Sequence, residues 1–228
     1  MVLSGIWRME NRVYCGVMHE FLVRLSENLV LTGDVAQDAV AFLRRHDCPE
    51  TALHSAAVAA EAQCIAALVS VETVRAAQAG WLHDISAVIP AVERVTVAEA
   101  LGIPVLPEER TLPMILHQKL SVVLARDLFG VTDAAVLSAI GCHTTLKPGA
   151  SALDKVLFVA DKLAWDQPGE PPYRVDLEAA LAHSLDAAAC VYLRYLWERR
   201  VTLAVVHPWL AAAHAHLCAR EGLEIRDW

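Results

Sequence analysis

Ala79-Gly80-Trp81-Leu82-His83-Asp84-Ile85-Ser86 is an apolar run that ends on two adjacent metal-capable side chains. The residues leading into it, from about Val71, carry apolar side chains at helical spacing, so the stretch reads as the end of a helix. A buried carboxylate without a partner is costly enough that it takes up a proton or recruits a cation. His83-Asp84 therefore asks for a cation, and a metal ion is the simplest one. Alone the dipeptide is weak; its meaning depends on ligands elsewhere in the chain spaced to meet it.

Working outward, helical segments follow one another. Asp34, with Gln37 three residues on, opens a helix to about Arg45. A second starts near Thr51, carries His54 in its first turn and runs through the alanine-rich residues 56–68, a composition that implies close helix packing. The third holds His83-Asp84. A short helix over 95–101 and a proline-bearing loop lead to a helix over about 114–129, with Pro113 in its first turn and His117 near its start. The next spans 132–143 and ends on His143. Ser151 caps a helix over 152–165 that presents Asp161, with Asp154 placed as a capping carboxylate. A long amphipathic helix is expected over 176–199, and a last one from Pro208 to about Gly222. Val17, Met18, Phe21, Leu22 and Leu25 suggest a short helix in a variable lead-in, 1–33. The sequence shows no convincing strand, and no linker divides 34–228. The expected fold is all-α, one helical domain with a core at about 50–165 and C-terminal helices over 176–222.

Composition agrees. The chain has 228 residues, 56% hydrophobic, few aromatic, with a net charge of −8. That excludes disorder, and with no basic run it speaks against a nucleic-acid surface. No apolar run reaches the ~20 residues of a membrane span; Val201–Leu217 is interrupted by Pro208 and three histidines. The first residues lack the zones of a secretory signal. Cys15, Cys48, Cys64, Cys142, Cys190 and Cys218 have no CxxC spacing, so the expectation is buried thiols in a reducing cytoplasm.

The candidate ligands are His54, His83, Asp84, His117, His143 and Asp161, drawn from five helices. All are nitrogen or oxygen donors, a set suited to iron or manganese rather than a thiolate zinc site. Four histidines and two carboxylates exceed what one ion needs while leaving a position for water, so two divalent ions sharing a carboxylate fit better. His19, His46, His183, His207 and His214 read as structural.

The order of these residues resembles the HD-domain metal-dependent phosphohydrolases, and residues 50–165 resemble their YqeK-type branch. The likeness is carried by His54-Ser55, Trp81-Leu82-His83-Asp84-Ile85, Leu116-His117, Cys142-His143-Thr144-Thr145, and Leu153-Asp154-Lys155 through Ala160-Asp161. The resemblance implies an HD-type helical bundle with a metal site in a central cleft, two irons, and symmetric cleavage of diadenosine tetraphosphate into two ADP. It implies one ion on His54, His83, Asp84 and Asp161, and a second on His117 and His143, with Asp84 bridging and orienting the nucleophilic water. The partner would be a small nucleotide. The sequence leaves a homodimer open.

Three stretches depart from the family pattern. A lysine commonly follows His-Asp, and here Ser86-Ala87 follow. A Gly-Pro step usually follows the third histidine, and here Gln118-Lys119 do. After the last aspartate an aromatic and Glu-Pro-x-Arg give way to Lys162-Leu163-Ala164-Trp165-Asp166-Gln167. Lys147, Lys119 and Arg174 are the replacement phosphate contacts to consider, Lys147 first because its loop follows His143. Two alternatives stand beside the Ap4A reading: hydrolysis of a mononucleotide or other phosphoester, and a non-catalytic nucleotide-binding regulator.

Overall fold

The computed structural model describes the backbone of residues 3–9 and 12–219 and the side chains of 19–219. The part of the predicted last helix beyond Ala219 lies outside the described residues. Strands β1 (Leu3–Met9) and β2 (Arg12–Met18) pair antiparallel, Leu3 opposite Met18 and Met9 opposite Arg12. This corrects the expectation of no strand. Ile6, Trp7, Val13, Tyr14 and Val17 are residues of high β preference, and Val17 and Met18 belong to the strand rather than to a helix. The lead-in helix is the shorter α1 (Glu20–Leu25), capped by His19, whose Nδ1 accepts from Phe21 N.

The rest is helical. α2 (Val35–Arg45) is capped by Asp34, which accepts from the backbone N–H of Ala36 and Gln37. α3 (Pro49–Leu68) packs on α4 (Thr73–Leu82) and on α9 (Ala152–Leu163). α5 (Arg94–Ala100), α6 (Pro107–Thr111), α7 (His117–Asp127) and α8 (Ala134–Ile140) come between. α6 lies within the expected proline loop, since Pro107 suits the first turn of a helix and Glu109 caps its start. Asp133 caps α8, and Ser151 and Asp154 cap α9 reciprocally.

The expected long helix over 176–199 is two, α10 (Arg174–Leu181) and α11 (Leu185–Glu198). Ser184 is extended and its hydroxyl accepts from Ala187 N, starting a new helix where the amphipathic period alone reads as continuous. α12 (Pro208–Leu217) follows. Its neighbour Cys218 forms a disulfide with Cys190 of α11, Cα atoms 5.4 Å apart. This corrects the expectation of free thiols: the two cysteines are 28 residues apart and meet only because α12 packs on α11. Cys142 is buried, but Cys64 is exposed. Among the described residues no helix is long and apolar enough to cross a membrane.

The approach of α3 and α4 matters most for the site. A Cβ on Gly80 would stand 2.6 Å from Ala59 Cα, backbone that cannot yield. A mid-helix glycine costs stability relative to alanine, and here it lets the two helices touch. Leu82 and Ile85 flank His83-Asp84 and are fully buried, each worth about 1.5–3 kcal/mol of transfer free energy. They fix the pair against the core.

Candidate metal centre

Five elements bring the six predicted ligands to one point. α3 carries His54. His83 caps the C-terminus of α4, and Asp84 follows it. His117 is the first residue of α7, His143 lies three residues past α8, and α9 carries Asp161. His54 Nε2 is 3.1 Å from Asp161 Oδ1 and 3.3 Å from His83 Nε2. His117 Nε2 is 2.9 Å from His143 Nε2. Asp84 faces both groups: Oδ2 is 3.5 Å from His83 Nε2, and Oδ1 is 3.3 and 3.4 Å from the Nε2 atoms of His117 and His143. Its side chain is 26% exposed, the most open of the six, so the centre reaches solvent at Asp84.

Three of the rings are held by one device. The Nδ1 atoms of His83, His117 and His143 lie 2.7, 2.5 and 2.8 Å from the carbonyls three residues earlier, those of Gly80, Met114 and Ile140. A helix end supplies free carbonyls at that offset. In the neutral rings that ligate a metal, donation from Nδ1–H assigns the tautomer and leaves an Nε2 lone pair facing the centre.

This arrangement fits a metal ion. Lone pairs 2.9 Å apart repel unless a cation lies among them. Asp84 Oδ1 is buried and has no hydrogen-bond partner. Ligand atoms of His54, His83 and Asp161 lie within 4.8 Å of one another, as do those of His83, Asp84 and His143. The all-nitrogen-and-oxygen donor set suits divalent metals.

The electrostatics show a cluster built around charge. Burial opposes ionisation of both carboxylates. His83, His117 and His143 nevertheless hold Asp84 low, and Lys162 with His54 and His83 holds Asp161 well below the ordinary carboxylate range. Burial likewise opposes protonation of His83, but Asp84 and Asp161 prevail and raise it to about 9. His117 falls to about 4, through burial first and then His143 and Arg94, against the pull of Asp84.

The family-pattern departures support the ligands. Ser86 is fully buried; its Oγ donates to His117 O at 2.9 Å and accepts from Ser121 Oγ at 3.0 Å. Gln118 is fully buried; it exchanges hydrogen bonds with Thr145 Oγ1 and its Oε1 accepts from Thr144 N, tying α7 to the His143 loop. Lys162 is buried, pairs with Asp161 Oδ2 and donates to His143 O at 3.2 Å. Asp161 raises its pKa against the effect of burial. Sequence reasoning treated these only as deviations. The available signal was a lysine directly after a candidate ligand inside an apolar helix.

The three predicted phosphate contacts are not brought to the cluster as unpaired cations. Lys119 donates to buried Glu109 at 2.8 Å and to Pro104 O. Lys147 pairs with Asp154 at 3.2 Å and with Ser138. Arg174 pairs with Glu178 at 2.8 Å, one turn along α10. Each sits beside a carboxylate that sequence distance to a ligand could not reveal.

The HD domain model matches residues 51–166, half of the chain. The chain belongs to the HD-domain family. A Lactococcus lactis subsp. cremoris protein described as "Uncharacterized protein in pepC 5'region" is 46% identical over 139 residues, 61% of this chain and 70% of that one. A Mycoplasma pneumoniae protein named probable nicotinate-nucleotide adenylyltransferase/Ap4A hydrolase is 30% identical over 115 residues. A Halalkalibacterium halodurans symmetrical bis(5'-nucleosyl)-tetraphosphatase is 35% identical over 77 residues. The matches cover 50% and 31% of this chain, and only 30% and 41% of those two relatives. The crystal structure of a predicted HD superfamily hydrolase involved in NAD metabolism from Clostridium acetobutylicum shares the fold. Its TM-score is 0.68 over 95% of this chain and 100% of that one, at 21% identity.

Proposed function

We propose that this protein is a metal-dependent phosphohydrolase of nucleotides, with diadenosine tetraphosphate, cleaved symmetrically into two ADP, as its substrate. In this reading His54, His83, Asp84 and Asp161 hold one divalent ion. His117 and His143 hold a second that shares Asp84, with iron the first metal to test and manganese the next. The observation that carries it is Asp84, whose two oxygens face two separate histidine groups. The relatives named Ap4A hydrolase and symmetrical tetraphosphatase support the substrate. The continuous apolar core, from Leu22 to Cys218, supports one HD-type unit that takes in the end of the lead-in together with the helices that follow.

When bound, the metals supply Lewis acidity toward phosphate oxygens and activation of water. The chain's own residues do the rest. Asp84 orients the attacking water from the open side of the centre. The carbonyl anchors keep the Nε2 donors of His83, His117 and His143 in place, so little reorganisation of these three accompanies the reaction. Water adds to a central phosphorus in line with the bridging oxygen, that P–O bond breaks, and two ADP leave.

The test is a nucleotide panel with iron- or manganese-loaded protein. ADP as the only product from diadenosine tetraphosphate supports the reading. No turnover of that compound, alongside phosphate release from a mononucleotide, moves the substrate to the mononucleotide class.

A further inference from the structure

We infer that Arg94 is the phosphate-contacting cation of this centre, binding an oxygen of the substrate's phosphate chain on the His117 side. This rests on the phosphohydrolase reading above and names the residue that holds the anion. A cation at the rim would add a charge-assisted hydrogen bond to a phosphate chain entering between histidines and aspartates. The family pattern places a lysine after His-Asp. Here Ser86 is sealed between His117 O and Ser121, with no exposed surface. Lys119, Lys147, Arg174 and Lys162 all have carboxylate partners.

Arg94 differs from these four. Its Nε donates to Ile89 O at 3.1 Å and its Nη1 to Met114 O at 3.1 Å. Met114 O is the same carbonyl that anchors His117 Nδ1. The guanidinium therefore sits one shared acceptor away from a ligand ring. Carbonyls orient a guanidinium without neutralising it, and among the described residues Arg94 has no carboxylate partner. Two of its five N–H groups are used, which leaves three in the planar fork that suits phosphate oxygens. Its charge reaches the centre: burial lowers the pKa of Arg94 and Asp84 offsets part of that, while Arg94 helps to lower the pKa of His117. Arg94 is also the first residue of α5, the positive end of the helix dipole, where a cation is disfavoured. A role in stability alone does not account for that placement.

The experiment uses the metal-loaded full chain, with Arg94→Ala, Arg94→Gln and Arg94→Lys. Pyrophosphate binding is measured by calorimetry and metal content by elemental analysis. Kinetics on any nucleotide that the unaltered protein hydrolyses complete the set. The expected result is unchanged metal content, pyrophosphate affinity about ten- to hundredfold weaker in Arg94→Ala and Arg94→Gln, and partial recovery in Arg94→Lys. Should Arg94→Ala fail to fold, Arg94→Gln, which keeps a stem and a donor, decides by the same readout. Unchanged pyrophosphate affinity overturns the inference and leaves the phosphohydrolase reading standing. Metal loss in all three variants also overturns it, by assigning Arg94 to the metal centre. If the unaltered protein binds metal but neither binds pyrophosphate nor hydrolyses any nucleotide, the reading itself fails, and the inference with it.

Discussion

His117 Nε2 and His143 Nε2 stand 2.9 Å apart, and each ring is pinned through Nδ1 to the carbonyl three residues before it. Neither ring can turn away without losing that bond, so the pair is prepared for a cation before one arrives. Replacing His143 by alanine removes one donor. Bound metal per chain after dialysis, counted by elemental analysis, should fall. His46→Ala, whose ring lies 3.2 Å from Leu25 O away from the cluster, should leave the count unchanged.

The groups behind the ligands should matter nearly as much. Ser86→Ala removes the hydroxyl on His117 O, and Gln118→Ala unties α7 from Thr144 and Thr145. Loss of such outer contacts typically costs about 10–100-fold in metal affinity or activity. Metal titration of each variant checks this, and affinities equal to the unaltered protein would show that these residues only fill space.

Lys162 balances Asp161 inside the core. Lys162→Met leaves that carboxylate with His54 and His83 as its remaining partners. Without metal the variant should lose about 3 kcal/mol, the lower end for breaking a buried pair. Bound divalent metal should restore most of it by supplying the missing charge. Denaturant unfolding with chelator and with manganese separates the two states; an equal loss in both would contradict the role.

Gly80→Ala places a methyl group against the backbone of Ala59. Overpacking of this kind costs roughly 1–3 kcal/mol, and it also pushes α4, with His83, away from His54. Stability and metal affinity should fall together. A stable variant with intact metal binding would mean that the helices separate without disturbing the histidines.

Metal uptake should release a proton near neutral pH. In the metal-free protein Asp84 and Asp161 outweigh burial and raise His83 to about 9, so at pH 7 the ring is protonated. Ligation needs the neutral ring. Affinity should therefore climb as pH rises toward 9 and level off above it. Its raised pKa also means that His83 stabilises the metal-free fold fully below its ordinary value near 6.5, a contribution lost as pH rises through about 9. Calorimetry in buffers of different ionisation enthalpy counts the protons; none released at pH 7 would contradict the assignment.

Much of this protein is legible along the chain. Helical periodicity, the caps Asp34, Asp133 and Ser151, and the ordered donors from His54 to Asp161 are local properties, set by side-chain type and spacing. They determine the all-α fold and the identity of the candidate ligands. Other features depend on which surfaces meet. Ser184 splits one amphipathic stretch into two helices, because a cap competes with the helix on local terms that a period cannot show. Cys190 and Cys218 bond because α12 folds onto α11. Lys119 and Lys147 answer to Glu109 and Asp154, carboxylates outside the predicted ligand set. Arg94 reaches His117 through a carbonyl that belongs to neither of them. Sequence alone names the donors because donor chemistry belongs to single residues. Which cation stays unneutralised beside them is a property of pairs of residues, and only the packing of distant segments decides it.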